Sequence, residues 1–133
     1  METVSEIRVR YSETDAMGIV YNANYLVWFE VARTELFRKM GLPYTRFEAE
    51  GLALAVIEAN LRYKAAAKYD DMVELRAEVG AINPRKVIFN YEITSGQKVL
   101  CEGRTVHFFV NSDGRATSAA GYPIWQEVKR LLL

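Results

Sequence analysis

Asp15 is the residue of this chain best placed to do chemistry. It stands in Ser12-Glu13-Thr14-Asp15-Ala16-Met17-Gly18, a short polar loop just ahead of a strongly apolar stretch with helical spacing. A carboxylate can take a proton or attack a carbonyl carbon. The first turn of a helix carries free N–H groups and the positive end of a dipole, which can polarise a carbonyl oxygen. Adjacent in sequence, the two would supply a base or nucleophile and an oxyanion partner. Gly18 lets the backbone approach a ligand or take a positive φ. On spacing alone, however, a simple loop or capping aspartate is the more ordinary reading.

Other chemistries are poorly supplied. His107 is the sole histidine and lies in a strand-like run, where a structural role is expected. No Cys-x-x-Cys, His-x-x-x-His, carboxylate-rich loop, Gly-x-Gly-x-x-Gly, P-loop or Gly-x-Ser-x-Gly is present. No metal and no cofactor is therefore expected. Cys101 is the one cysteine, which precludes an internal disulfide; it sits in an alternating apolar run and reads as packing. Lysine plus arginine and aspartate plus glutamate balance at 17 each, which leaves no basic footprint for nucleic acid. The polar N-terminus is unlike a signal peptide, and no apolar run approaches the roughly 20 residues of a membrane span. A cytoplasmic protein is expected, with one domain over residues 1–133.

The surrounding elements explain how such a loop could be held. Glu6 to Tyr11 alternates as a strand. From about Ala23 to Met40, Tyr25, Trp28, Phe29, Ala32, Leu36 and Met40 recur at helical steps. Leu26, Val27 and Val31 widen that stripe, so the helix is expected to be mostly buried. Asn22 or Asn24 could cap it, and Gly41 with Pro43 stops it. Four strand patterns follow at Leu52–Tyr63, Val73–Val79, Lys86–Ile93 and Leu100–Val110, with turn signals at Asn83-Pro84 and Ser95-Gly96-Gln97. Ile124–Leu133 could close the chain as a short helix. One helix apolar on most sides needs an antiparallel sheet curved around it.

The stretch Tyr11-Ser-Glu-Thr-Asp15-Ala-Met-Gly18-Ile-Val-Tyr21-Asn-Ala-Asn-Tyr25 resembles the active-site signature of the 4-hydroxybenzoyl-CoA thioesterase family. That family includes the short-chain acyl-CoA thioesterases associated with the Tol-Pal system. The resemblance continues through Glu30-Val-Ala-Arg33-Thr-Glu35, Tyr63 and Tyr69-Asp70-Asp71. It departs at Asn22, where relatives carry histidine or tyrosine.

The resemblance implies an α+β hotdog fold, with an antiparallel sheet of about five strands wrapped around one long central helix. It implies hydrolysis of an acyl-CoA to free acid and CoA, at a site between subunits of a homodimer or homotetramer. Asp15 would be the catalytic carboxylate and the backbone N–H of Asn22 the oxyanion donor. Gly18, Tyr21 and Tyr25 would line the substrate. Arg85 and Lys86 would meet the nucleotide phosphates, for which arginine and lysine suit. Glu58 and Asn60 are expected on the same sheet face as Leu54 and Val56, where they could line the acyl pocket. Glu13 is expected to be a solvated loop residue. The rival readings are a non-catalytic acyl-CoA-binding hotdog protein and a hotdog dehydratase. The latter would need a histidine base, for which His107 is badly placed.

Overall fold

The computed structural model describes residues 2–133. Strand β1 is Glu2–Arg8, followed by a 3-10 turn at Tyr11–Glu13 and the long helix α1, Asn24–Lys39. A short helix α2, Tyr44–Ala49, leads into β2 (Ala53–Tyr63), β3 (Met72–Ile82), β4 (Lys86–Ser95) and β5 (Lys98–Val110). Helix α3, Ile124–Leu132, ends the chain. The five strands form one antiparallel sheet in the order β1-β3-β4-β5-β2. This is the hotdog arrangement, one long helix against a five-stranded antiparallel sheet.

Helix α1 buries Tyr25, Trp28, Phe29, Ala32, Leu36 and Phe37. Those side chains meet Val73, Leu75, Ala77, Phe89, Tyr91, Ile93 and Phe109 of the sheet in a single core. Phe29 stacks on Tyr91 at 4.1 Å between ring centres. Gly103 makes room for it, because a Cβ there would stand 2.4 Å from the Phe29 ring. A β-carbon cannot occupy that space without moving the helix.

Three features differ from the sequence reading. β1 lies earlier than expected, and Tyr11 belongs to the turn rather than to the strand. The cause is Glu13, whose carboxylate reaches back to accept the Arg10 N–H at 2.8 Å and curls the chain. Second, β2 pairs with β5 and not with its sequence neighbour β3. The hairpin pairing expected from short connections holds for β3–β4 and β4–β5 only, since residues 64–71 form a longer crossing. Third, no asparagine side chain caps α1; the cap position is Ala23. Asn24 instead donates its side-chain amide to the Glu13 carbonyl at 2.8 Å.

A bulge in β2 between Val56 and Glu58 leaves Ile57 as an extra residue. One added residue turns the following side chains over. Leu54 and Val56 pair with Phe109 and His107 on the helix side, and Ala59, Leu61 and Tyr63 take that side after the bulge.

Candidate active site

The Asp15 loop is tied down by its backbone. Asp15 donates its N–H to the Ile19 carbonyl at 2.9 Å, and its own carbonyl accepts the Gly18 N–H at 2.9 Å. Gly18 closes that turn at φ 79°, a conformation that suits glycine. Thr14 and Val20 bridge across the loop, and Tyr21 donates its N–H to the Glu13 carbonyl. The Asp15 carboxylate is half-buried, and one oxygen, Oδ1, accepts the Met17 N–H at 2.8 Å. Its second oxygen makes no hydrogen bond among the described residues.

Glu13 corrects the expectation of a solvated side chain: it is 6% exposed. Its Oε1 accepts from the Arg10 backbone and sits 3.5 Å from the Arg10 Nε; its Oε2 accepts the Trp28 indole N–H at 2.9 Å. Burial pushes this carboxyl up, but the Arg10 and Trp28 hydrogen bonds and the Arg10 charge outweigh it and leave the pKa lowered. Glu13 thus staples the loop to the buried face of α1. The sequence signal was its spacing from Trp28, which nothing short of the three-dimensional loop could reveal.

Asn22 is exposed on the turn entering α1. Its carbonyl accepts the Tyr25 N–H and the Tyr63 hydroxyl, the latter at 3.1 Å. Its own N–H, like that of Ala23, has no backbone acceptor among the described residues. Both stand where the α1 dipole is positive. Beside them, Ile19, Val20, Asn22, Tyr25, Tyr63, Ala65 and Ala66 line a mostly apolar cavity of about 190 Å³. Tyr25 is buried in its wall, edge-on to Trp28 and Tyr63. Tyr21, next to Asn22 in the chain, is exposed and does not line the cavity. Ile19, Val20, Ala65 and Ala66 were not singled out from sequence, because small and branched apolar residues in a loop carry no chemical signature.

Glu58 and Asn60 do not share a face with Leu54 and Val56. The bulge at Ile57 turns them to the outer face, opposite Val106 and Arg104. Arg85 and Lys86 sit on the Asn83 turn, where the Asn83 side-chain oxygen accepts both of their N–H groups. They border a groove of about 570 Å³ with Pro84, Phe108, Ala116 and Thr117. This groove and the Asp15 loop lie at opposite ends of the molecule. Phe108 lines the groove, while the Leu100 carbonyl holds Lys64 and Ala65 beside the loop. Along β5 those positions are roughly 26 Å apart at about 3.3 Å per residue. Asp15 and Gly18 share one loop turn, and Asn22 and Tyr25 line the cavity that follows it; Arg85 and Lys86 lie away from both.

His107 is fully buried, as expected of a structural residue. Cys101 is buried too, and burial pushes its thiol up to about 11, far from a reactive thiolate. No cluster of metal-binding side chains occurs among the described residues. No helix among them is long and apolar enough to cross a membrane.

Residues 9–130 match the family model described as the thioesterase-like superfamily. YneP of Bacillus subtilis (strain 168) is 42% identical over 88 residues, 66% of this chain and 64% of that protein. The chain thus spans just under two thirds of the length of that relative. The acyl-CoA thioester hydrolase YbgC of Escherichia coli O6:H1 is 34% identical over 71% of this chain and 70% of its own. Among solved structures, the DHNA-CoA thioesterase from Staphylococcus aureus superposes with a TM-score of 0.90 at 30% identity, covering 97% of this chain and 89% of that one.

Proposed function

The chain belongs to the thioesterase-like superfamily, and on that premise we propose that it hydrolyses acyl-CoA thioesters to the free acid and CoA. The observation that carries this reading is an Asp15 carboxylate with one oxygen unbonded, on the loop that leads into the unengaged N–H groups of Asn22 and Ala23 and an apolar cavity. A thioester carbonyl placed there has its oxygen facing the Asn22 N–H and the positive end of α1. Those groups stabilise the oxyanion as the tetrahedral centre forms. The free oxygen of Asp15 either takes a proton from water or attacks the carbonyl to give a mixed anhydride. Oδ1 stays on the Met17 N–H and fixes the direction of attack.

The acyl group lies in the trough between α1 and the helix-facing side of β2. Tyr63 and Tyr25 mark one end, and Val27 and Val56, each about half exposed, form the middle. The trough is open in one chain. A second copy closes it when the free edges of two β2 strands pair antiparallel. That pairing places the Asp15 end of one copy beside the Arg85 and Lys86 groove of the other, so one CoA can span both. The guanidinium and ammonium then meet its phosphates. Glu58 and Asn60 lie on the outer face, away from the acyl trough. The reaction needs no cofactor, and the whole of residues 1–133 works as one domain. We place it in the cytoplasm, where the lone thiol Cys101 stays reduced.

Asp15→Asn tests the reading. The amide is isosteric but neither takes a proton nor attacks. Turnover of acyl-CoA in a free-thiol assay should fall about 100-fold or more, with folding and CoA binding kept. The Met17 hydrogen bond alone would suit a purely structural aspartate. A folded Asp15→Asn protein that keeps most of its activity would therefore move Asp15 to that role. A wild-type protein that binds acyl-CoA without releasing thiol would point to the binding-only reading instead.

A further inference from the structure

Tyr63 lines the cavity at the start of α1, and its hydroxyl does more there than fill space. The hydroxyl lies 3.1 Å from the Asn22 carbonyl oxygen. A carbonyl can only accept, so the phenol donates. Burial pushes that phenol above its usual 10.0, so it keeps its proton at neutral pH. The ring is well held. Tyr63 is the last residue of β2 and pairs with Cys101 of β5, and its ring stands edge-on to the buried Tyr25 at 5.4 Å between ring centres. A donor carried by a paired strand keeps its direction.

The hydroxyl acts on a whole peptide unit. The Asn22 carbonyl and the Ala23 N–H belong to one planar trans amide and point opposite ways. The carbonyl faces along the helix, toward the Tyr25 N–H. The Ala23 N–H therefore faces out of the helix start, where it has no backbone acceptor among the described residues. Fixing one end of a rigid plane fixes the other. A hydrogen bond accepted by the carbonyl also polarises the amide and strengthens its N–H as a donor. The neighbouring amide shows why the extra bond matters. The Tyr21 carbonyl, which shares an amide with the Asn22 N–H, accepts the Asn24 N–H at 2.9 Å. The Asn22 carbonyl receives the Tyr25 N–H only at 3.3 Å. Tyr63 supplies what the first turn leaves weak.

We propose that Tyr63 is a positioning residue: its hydroxyl orients and polarises the Asn22–Ala23 amide, so that the Ala23 N–H serves as a second oxyanion donor beside that of Asn22. The proposal rests on the thioesterase reading above. Preorganised donors count most when they already point to where charge develops, since nothing then has to turn as the tetrahedral centre forms. Tyr63 reaches the reacting atoms only through the amide it holds.

Tyr63→Phe keeps the ring and removes the donor. On the best-used ester among acetyl-, octanoyl- and benzoyl-CoA, kcat should fall about tenfold with KM kept, less than the roughly 100-fold of a donor removed outright. A 3-fluorotyrosine installed at 63, a more acidic phenol of nearly the same shape, should raise kcat at neutral pH, which a merely structural strap would not do. Ala23→Pro, at a φ of −65° that proline shares, removes the second donor itself. On that background Tyr63→Phe should cost nothing further. In ¹⁵N-labelled protein, saturating S-acetonyl-CoA, a ketone that cannot be hydrolysed, should move the Asn22 and Ala23 amide signals downfield; S-propyl-CoA should not. In Tyr63→Phe the Ala23 movement should shrink, with circular dichroism confirming the fold of each variant. A Tyr63→Phe protein with wild-type kcat, a change in KM alone, or an Ala23 amide unmoved by the ketone overturns the proposal and leaves the hydrolase intact. If the wild type releases thiol from none of the three esters, the hydrolase reading falls, and the Ala23 response to the ketone with and without the Tyr63 hydroxyl still decides whether Tyr63 sets that donor.

Discussion

Glu13 accepts two charged hydrogen bonds, from the Arg10 backbone N–H and from the Trp28 indole N–H, at the edge of the core. Removing the carboxylate leaves a buried indole N–H unpaired. Glu13→Ala is expected to lose about 1–3 kcal/mol in chemical denaturation, and to lose activity as the Asp15 loop loosens. Because the folded carboxyl is held below the ordinary 4.5, this stabilisation is full above that value and is lost as pH falls beneath it. His107 acts in a different window. Burial, joined by the Arg33 charge, lowers its pKa from 6.5 to about 4. Between those values the unfolded chain holds a proton that the folded one lacks. Stability is thus full above 6.5 and falls as pH drops towards 4, by about 3 kcal/mol at about 1.4 kcal/mol per pH unit. Urea melts across that range should show the slope, and His107→Phe should flatten it while leaving the lower Glu13 window in place. Neither behaviour was legible in the sequence. Glu13 looked like any loop acid, and the burial of a strand histidine does not show which of its nitrogens finds a partner.

Helix α1 was legible as an element and not in its capping. Apolar residues at three- and four-residue steps located it to within a residue, and Gly41 marked its stop, because such spacing survives any tertiary context. The asparagines misled as caps, since Asn24 has a better use in holding the Glu13 carbonyl. Likewise the alternation of β2 was real, but a bulge adds a residue without changing residue type. The inside and outside of Glu58 and Asn60 could not be read from the pattern. If the α1 entry works through its backbone, the Asn22 side chain is dispensable. Asn22→Ala should keep turnover within about tenfold, because the N–H donor remains. Asn22→Pro removes that N–H, yet proline is tolerated at the start of a helix, and it should lower kcat roughly 100-fold. Circular dichroism on both variants separates a lost donor from a disturbed loop. If folded Asn22→Ala is as inactive as Asn22→Pro, the side-chain amide shares the work.

At the scale of the molecule, the sites implied by the family resemblance lie too far apart for one chain, and the exposed Val56 and Ile57 lie on the free edge strand β2. Leu26 and Val27 of α1 are exposed as well. Apolar surface of this kind marks an interface. Ile57→Lys puts a charge on that edge and costs the single chain little, because Ile57 is already unpaired in the bulge. Light scattering should show a smaller assembly, and specific activity should fall with it and rise again with protein concentration. An active monomer would place the whole site in one chain. The sheet has a second free edge, β1, and the two edges differ. Had β1 of one molecule been able to add to β2 of the next, head-to-tail pairing would never close, and the product would be a filament. β1 instead carries Glu2, Glu6 and Arg8 with Val4 as its one exposed large apolar side chain, which suits it poorly to an incoming strand. On the proposed β2–β2 pairing, the asymmetry between a charged edge and an apolar one works as a chain terminator: growth ends at the first self-complementary pair, where an evenly apolar sheet would polymerise.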